Sequence, residues 1–345
     1  MSGKPIGYWE YFAIEARLAN APLYVRLAEG VADDDELKAL AANARPEQPW
    51  ANILFAAVHF LLLRGAEHPL RRHYPDLNGG VPIEGEDPFP LFQDFCARHR
   101  DGLLPLIRTR ITNTNEVGRS ATLNAGFRAL AAQAGEPLHL IELGPSAGLN
   151  LIWDRYRVRY RRGGEEFVTD VPDASLTLDV ELRGERVPPH GPAPRVASRV
   201  GLELNPVDLS NPDDRDWLRA LVFPDRVERL TRLDAALAAY KDAKPEIRIG
   251  SALDLLPDAL AAVPKDGVVC VYHTFVTYQF SNAMRRALTD MLTVAGLRRE
   301  VWCLGNEGFL DNRNPLTLRR YRDGAQEERL LANTQPHGAW IEWLA

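Results

Sequence analysis

A serine between two glycines, Gly144-Pro145-Ser146-Ala147-Gly148, directly follows an apolar run that carries one acid, Leu138-His139-Leu140-Ile141-Glu142-Leu143. The run has no helical period and reads as a buried strand. The small residues read as a tight turn, and Leu149-Asn150 to Asp154 as the first turns of a helix. Strand, tight turn and helix can hold a ligand. Missing side chains let it approach the backbone, and N–H groups at a helix start attract anionic oxygens. A second chemistry fits the same residues. Gly-x-Ser-x-Gly is the pattern of a nucleophile elbow, and Asp254 and His273 follow Ser146 in the Ser–Asp–His order of such hydrolases. In a third reading the turn serves only to join strand to helix. A dinucleotide fingerprint is not supported, because Ser146 and Leu149 stand where Gly-x-Gly-x-x-Gly needs glycine.

Further candidates sit where later strands end. His273 follows Val268-Val269-Cys270-Val271-Tyr272, with Thr274 and Tyr278 close behind, and Asn306-Glu307 end the next apolar run. Open α/β sheets place ligands at the carboxyl ends of their strands. A histidine there suits a general base, or equally a hydrogen-bonded packing residue. Upstream, the patch Thr112-Asn113-Thr114-Asn115-Glu116-Val117-Gly118-Arg119 leads into a helix bearing Leu123, Phe127 and Leu130. Thr114 or Asn115 reads as a helix cap. Alternatively Asn115, Glu116 and Arg119 form a wall of the ligand pocket, because this helix feeds straight into the Leu138 strand.

These residues need a scaffold, and composition bounds it. The chain has 345 residues, 46% hydrophobic and 26% charged, which is ordinary for a globular protein. A formal net charge of −6 argues against a generally nucleic-acid-seeking surface. Cys96, Cys270 and Cys303 lack metal-ligand spacing, so no metal is expected, and a reduced cytoplasmic setting is. The first ten residues lack a basic-then-apolar leader pattern. The longest apolar stretch, Ala51 to Leu63, is too short to span a bilayer and reads as a buried helix. No membrane association is expected, and nothing sets the oligomeric state.

The pattern along the chain gives the architecture. Residues 7 to about 111 read as helical, with Asp33-Asp34-Asp35-Glu36 at a helix front, where the dipole favours acids. The breaker-rich loop 79–90 reads as exposed. His59, His68, His73 and His99 read as packing or surface histidines. In Arg155-Tyr156-Arg157-Val158-Arg159-Tyr160-Arg161-Arg162 the arginines alternate with apolar residues, giving a strand with one charged face. Leu176, Leu178, Val180 and Leu182 form a partner strand, so 155–190 is expected to be a β-hairpin excursion. From Arg199 strands and helices alternate: strands at 200–204, 246–250, 267–273 and 300–304, helices at 213–221, 226–240 and 281–292. A hairpin about Asp323-Gly324 and a last strand follow.

The stretch from Glu142 resembles motif I of the class I S-adenosylmethionine-dependent methyltransferases: an apolar strand, an acid, one residue, then Gly-x-Gly-x-Gly. Gly144 and Gly148 are its outer glycines, and Ser146 replaces the middle one. Thr114-Asn115-Glu116-Val117-Gly118-Arg119, Gly144 to Asp154 with Arg155-Tyr156, Arg219-Ala220 with Pro224, and His273 are similar to a family of uncharacterised bacterial proteins with a methyltransferase-like core. The resemblance implies a three-layer, Rossmann-like α/β domain over 112–345, with a mostly parallel sheet and antiparallel C-terminal strands. A helical region over 1–111, a lid over the pocket, precedes it. The implied cofactor is S-adenosylmethionine. Glu142, Gly144, Ser146, Gly148 and Asn150 surround its methionine part. Glu203, with Asp208 as second choice, grips the ribose hydroxyls, because a carboxylate accepts two hydrogen bonds. Asp254 lies by the adenine edge. The implied reaction is methyl transfer to a small molecule. His273 and Glu307 are the catalytic candidates, and Asn115, Glu116, Arg119, Thr274, Tyr278 and Asn306 lie on the substrate side. Two alternatives stand beside it, the Ser146 hydrolase and a non-catalytic S-adenosylmethionine binder. The mostly helical first 111 residues weigh against the hydrolase, whose elbow normally follows several αβ units.

Overall fold

A computed structural model describes residues 7–81, 83, 85–308 and 313–345, so residues 82 and 84 of the expected exposed loop lie outside the described residues. The chain forms two compact units, Met1–Thr114 with Val207–Leu233, and Asn115–Pro206 with Asp234–Ala345.

The first unit is helical: α1 (Tyr8–Leu18), α2 (Pro22–Ala32), α3 (Asp35–Ala41), α4 (Trp50–Leu63), α5 (Phe89–Arg98) and α6 (Arg100–Thr109). Asp34 caps α3 by accepting from the Leu37 N–H, which places the acidic run at a helix front. Helix α4 is buried from Ile53 to Phe60. A helix apolar on all sides belongs at the centre of its unit. It packs with Phe12, Tyr24, Phe92 and Phe95, and with Trp217 and Leu221 of the returning segment. No described helix is long and apolar enough to cross a membrane.

The second unit begins with α7 (Arg119–Ala134), which leads into β1 (Leu138–Leu143), buried along its whole length. The residues after the Gly144–Gly148 bend do not continue as an α-helix. Leu149–Arg155 is a 3-10 stretch broken at Ile152. Leu149 to Trp153 are all buried, so no solvated face exists for an amphipathic α-helix. The chain passes into β2 (Tyr156–Arg162), β3 (Glu165–Val168), β4 (Leu176–Arg183) and β5 (Val196–Glu203). It visits the first unit through α8 (Pro212–Ala220) and the start of α9 (Val227–Ala243). It returns with β6 (Glu246–Ile249), α10 (Ala252–Ala261), β7 (Val268–Thr274), α11 (Asn282–Gly296), β8 (Val301–Asn306), β9 (Asn314–Arg322), β10 (Ala325–Thr334) and β11 (Trp340–Trp343).

Among the described residues these strands form one sheet in the order β3-β2-β4-β11-β10-β9-β8-β7-β1-β5-β6. The run β6-β5-β1-β7-β8 is parallel throughout, and β9, β10 and β11 follow antiparallel. The strand order reverses between β1 and β7. In doubly wound sheets that is the switch point where a ligand crevice opens. Apolar residues on one sheet face, among them Ile141, Leu143, Val269, Val271 and Cys303, pack with Leu256 and Leu260 of α10 and Leu288 and Leu292 of α11. On the other face Phe127 of α7 meets Tyr272 edge-on at 5.0 Å.

The 155–190 excursion differs from the expected single hairpin. The hairpin is β2 with the short β3, turned at Gly163-Gly164, while β4 runs parallel to β2 on its other side. Parallel register sets Asp179 opposite Arg159 and Glu181 opposite Arg161. The Arg159 guanidinium donates twice to Asp179, at 2.6 and 3.0 Å. Opposite charges directly across a strand pair favour this register. Nor does the excursion leave the sheet. Strand β4 pairs with β11, so the excursion extends the sheet at its far end.

Candidate functional site

The bend after β1 is built by backbone conformation. Gly144, Ser146 and Gly148 all take positive φ, at 64°, 56° and 81°. Ser146 thus holds the left-handed backbone that glycine adopts without cost, at the position where the resembling motif has glycine. Close packing fixes the bend on both sides. A Cβ on Gly144 would lie 2.6 Å from Val276 Cγ2, and one on Gly201 would lie 2.5 Å from Pro145 Cγ. Glycine at 201 is what lets Pro145 rest on β5.

Two acids flank the bend on the same sheet face. Glu142 lies opposite Gly201 of β5, and Glu203 is two residues further along that strand. Alternation in a strand then points both carboxyls to one side. Glu203 Oε2 accepts from the Ser146 N–H at 2.8 Å, and Oε1 from the Asn205 N–H at 3.0 Å. A carboxylate has about four lone-pair sites, so two remain for a ligand. Glu142 is almost fully buried and accepts from the Tyr272 hydroxyl at 3.0 Å. Burial pushes its pKa up to about 8, and the Glu203 charge adds to the rise. The Tyr272 hydrogen bond and the Arg119 charge oppose it.

The 115–120 patch packs on this side. Asn115 does not cap its own helix; its Oδ1 accepts from the Leu149 N–H at 2.8 Å, just past the bend. Gly118 occupies the α7 cap position, and its N–H donates to Glu116 Oε1 at 3.0 Å. The Arg119 guanidinium lies 3.9 Å over the Phe275 ring and donates to the Pro336 carbonyl at 3.0 Å. Ser120 Oγ donates to Asn150 Oδ1 at 2.6 Å. Asn115, Glu116, Arg119, Asn150, Glu142, Glu203 and the bend therefore form one connected polar neighbourhood.

His273 and Glu307 lie together, on the opposite sheet face. His273 is in register with Leu143 and Gly305, and shares the face of Cys303 and the α10–α11 core. Its Nδ1 is 2.8 Å from Glu307 Oε1. That carboxylate also accepts from the N–H groups of Val276 at 2.7 Å, Thr277 at 3.0 Å and Tyr278 at 3.2 Å. Burial alone lowers the imidazole pKa, but hydrogen bonds to Cys303 and Glu307 outweigh it and lift it to about 9. Burial raises the Glu307 carboxyl, and His273 with the loop amides more than reverses this, leaving it below its ordinary value. The pair thus clamps the loop after β7, and that loop sets Val276 against Gly144.

The remaining candidates are placed as follows. Thr274 and Asn306 are buried neighbours in register on the Glu142 face. Tyr278 is 53% exposed. Asp254 is exposed in the first turn of α10, while His273 Nδ1 is engaged with Glu307, so Ser146, Asp254 and His273 do not form a hydrogen-bonded triad. Asp208 belongs to the other unit, where Ser210 hydrogen bonds hold its carboxyl below the ordinary range. No group of three or more His, Cys, Asp or Glu among the described residues could hold a metal ion. Sequence reasoning missed Tyr272, Val276 and Gly201. Tyr272 was within reach, because it is two residues from Thr274 in an alternating strand. Gly201 and Val276 have no such signal, since their role depends on contacts across the bend.

Residues 9–343 match a family model described as an uncharacterized protein conserved in bacteria (DUF2332). No curated protein and no solved structure matches the chain.

Proposed function

The chain belongs to the DUF2332 family, and from the geometry of its second unit we propose that it binds S-adenosylmethionine beside the 144–148 bend and methylates a small molecule. The observation that carries this reading is the placement of Glu203. It ends β5, shares a sheet face with Glu142, and is tied to the bend through the Ser146 N–H. The donor set suits the ligand. A ribose diol needs the two acceptor sites left on Glu203, and a sulfonium and an ammonium favour the ionised form of Glu142. Bound there, S-adenosylmethionine supplies an electrophilic methyl group. The protein's part is alignment, which accounts for much of the acceleration in a displacement of this kind. Asn115 fixes the amide just past the bend. Arg119 over Phe275 joins the α7 start to the β7 loop. His273 and Glu307 are positioning residues that act on Gly144 through Val276.

The test is calorimetric titration with S-adenosylmethionine and S-adenosylhomocysteine, with ATP as control. Binding of both sulfur ligands that weakens at least about ten-fold in Glu203→Gln supports the reading, through loss of a charge-assisted hydrogen bond. Absence of heat and of thermal stabilisation at saturating ligand overturns it. Fluorophosphonate labelling that disappears in Ser146→Ala would replace it with the hydrolase.

A further inference from the structure

Helix α1 of the helical unit is apolar on two sides. Trp9, Phe12, Ala13 and Ala16 are buried in the core of the unit. The opposite side carries Tyr8, Tyr11, Ile14 and Leu18, whose helical spacing also puts them on one face. All four are exposed, Tyr11 by 56% and Leu18 by 67%. Trp50, at the start of α4, is exposed beside them. Its ring lies 5.9 Å from that of Tyr8, and the Ala51 N–H donates to the Tyr8 hydroxyl at 3.1 Å, so the row continues onto α4. Among the described residues of this unit, the other exposed large apolar side chains are Val81 and Val227. Apolar residues scattered singly over a surface are ordinary, whereas a contiguous row marks a contact. A helix that packs on a core with one side normally turns polar residues to water with the other.

We propose that this face seats a second copy of the chain, the two α1 helices crossing antiparallel about a two-fold axis near Ile14. Charge selects this occupant. Glu10 stands in the first turn of α1 and Arg17 in the last. An antiparallel pairing brings Arg17 to the partner's Glu10, and two-fold symmetry makes that contact twice. A parallel pairing would set like charges side by side. Arg17 now meets Glu29 at 2.8 Å, but both side chains are half-exposed or more, so that pair holds Arg17 weakly. The same crossing lays Tyr11 along the partner's Leu18. Size agrees with a dimer. Five half-exposed side chains of these kinds present on the order of 450 Å² of apolar surface, somewhat more than half of the roughly 800 Å² that each partner buries in a standard interface, as expected of an apolar centre with a polar rim. A lipid surface fits less well. Helices that lie on membranes are rich in Lys and Arg, and α1 has one arginine against Glu10 and Glu15. The pairing is independent of the ligand proposed for the second unit.

The experiment is sedimentation equilibrium of the full chain from about 1 to 200 μM, where a dimer of ordinary affinity is expected to form. Leu18→Glu is expected to weaken it at least about ten-fold while the urea midpoint stays that of the wild type, because Leu18 lies outside the core. Arg17→Glu is expected to weaken it as well, and Glu10→Arg combined with Arg17→Glu to restore part of the loss. A second measurement does not depend on how the charged variants fold. Ile14→Cys is expected to oxidise to a covalent dimer, whereas Glu36→Cys, exposed on α3, is not. The native Cys96, Cys270 and Cys303 are buried and supply no competing thiol. A wild type that stays monomeric over the whole range overturns the proposal, and so does a Leu18→Glu dimer as tight as the wild type. Cross-linking of Glu36→Cys as fast as Ile14→Cys also overturns it. A double charge variant no better than Arg17→Glu alone overturns the antiparallel arrangement. A monomeric chain that co-sediments with phosphatidylcholine vesicles, and loses this in Leu18→Glu, would give the face to lipid instead.

Discussion

Glu142 and His273 lie on neighbouring strands one register step apart, yet on opposite faces of the sheet. Glu142 is opposite Tyr272, and His273 is opposite Leu143. The buried acid faces α7 and the bend, while the imidazole faces Cys303 and Glu307. The two groups therefore act separately, and each has its own pH signature.

Between the ordinary carboxyl value of 4.5 and about 8, folded Glu142 keeps a proton that the unfolded chain has released. Stability contributed by this group falls as pH rises through that window and levels off above it. Denaturant midpoints measured from pH 5 to 9 should decline in the wild type, and less steeply in Glu142→Gln. Identical slopes would show that the carboxyl is not held protonated.

The same acid predicts pH-dependent binding. A cationic ligand favours ionised Glu142, so binding below about pH 8 expels its proton. S-adenosylmethionine affinity should rise with pH toward 8. Titrations in buffers of different ionisation enthalpy should reveal a released proton that is missing in Glu142→Gln.

His273 is raised as Glu142 is, and shifts stability the same way. Its pKa is lifted from 6.5 to about 9, so its contribution is full below 6.5 and lost as pH rises through 9. His273→Asn should flatten the stability profile between pH 7 and 10. It should also weaken ligand binding through the Val276 loop, and Glu307→Gln should reproduce that loss. Hydrogen exchange at the Val276, Thr277 and Tyr278 amides should quicken in both variants. Unchanged protection would mean the pair does not hold the loop.

The bend offers two glycine experiments of opposite sign. Ser146→Gly relieves a left-handed serine at φ 56°. Offset by the entropy of glycine, the gain should be about 0.5 kcal/mol, with ligand binding kept. Gly201→Ala drives a Cβ to 2.5 Å from Pro145 Cγ. It should cost about 1–3 kcal/mol by overpacking and weaken S-adenosylmethionine binding at least about ten-fold. Chemical denaturation and calorimetry read both.

In the helical unit, buried His59 bridges the Ala220 carbonyl at 3.1 Å and Asp76 Oδ2 at 2.9 Å. His59→Leu leaves the buried Asp76 carboxyl without its partner and should destabilise the unit by about 3–5 kcal/mol. An equilibrium unfolding curve that matches the wild type would contradict this.

The sequence made the strands visible wherever an apolar run met a breaker, as at Leu138 to Gly144 or Val268 to His273. It also led to Glu142, Glu203 and the bend, because local residue order carries that signal. Partnerships across distance were hidden. Nothing near Leu176 tells whether it meets Tyr156 head to head or side by side; the answer lies in Asp179 facing Arg159. His273 and Glu307 were each marked as strand-end residues. Their union depends on β7 and β8 being adjacent and on the β7 loop bending back.

Strand β11 is the seam between β10 and β4, so residues 340–343 stitch the excursion strands to the rest of the sheet. During synthesis the segment from Tyr156 to Arg183 leaves the ribosome long before its neighbour exists. It must wait, with an unpaired β4 edge, until residues 340–343 have been made. A chain stopped before Trp340 would lack that neighbour and expose two strand edges, those of β4 and β10, to aggregation.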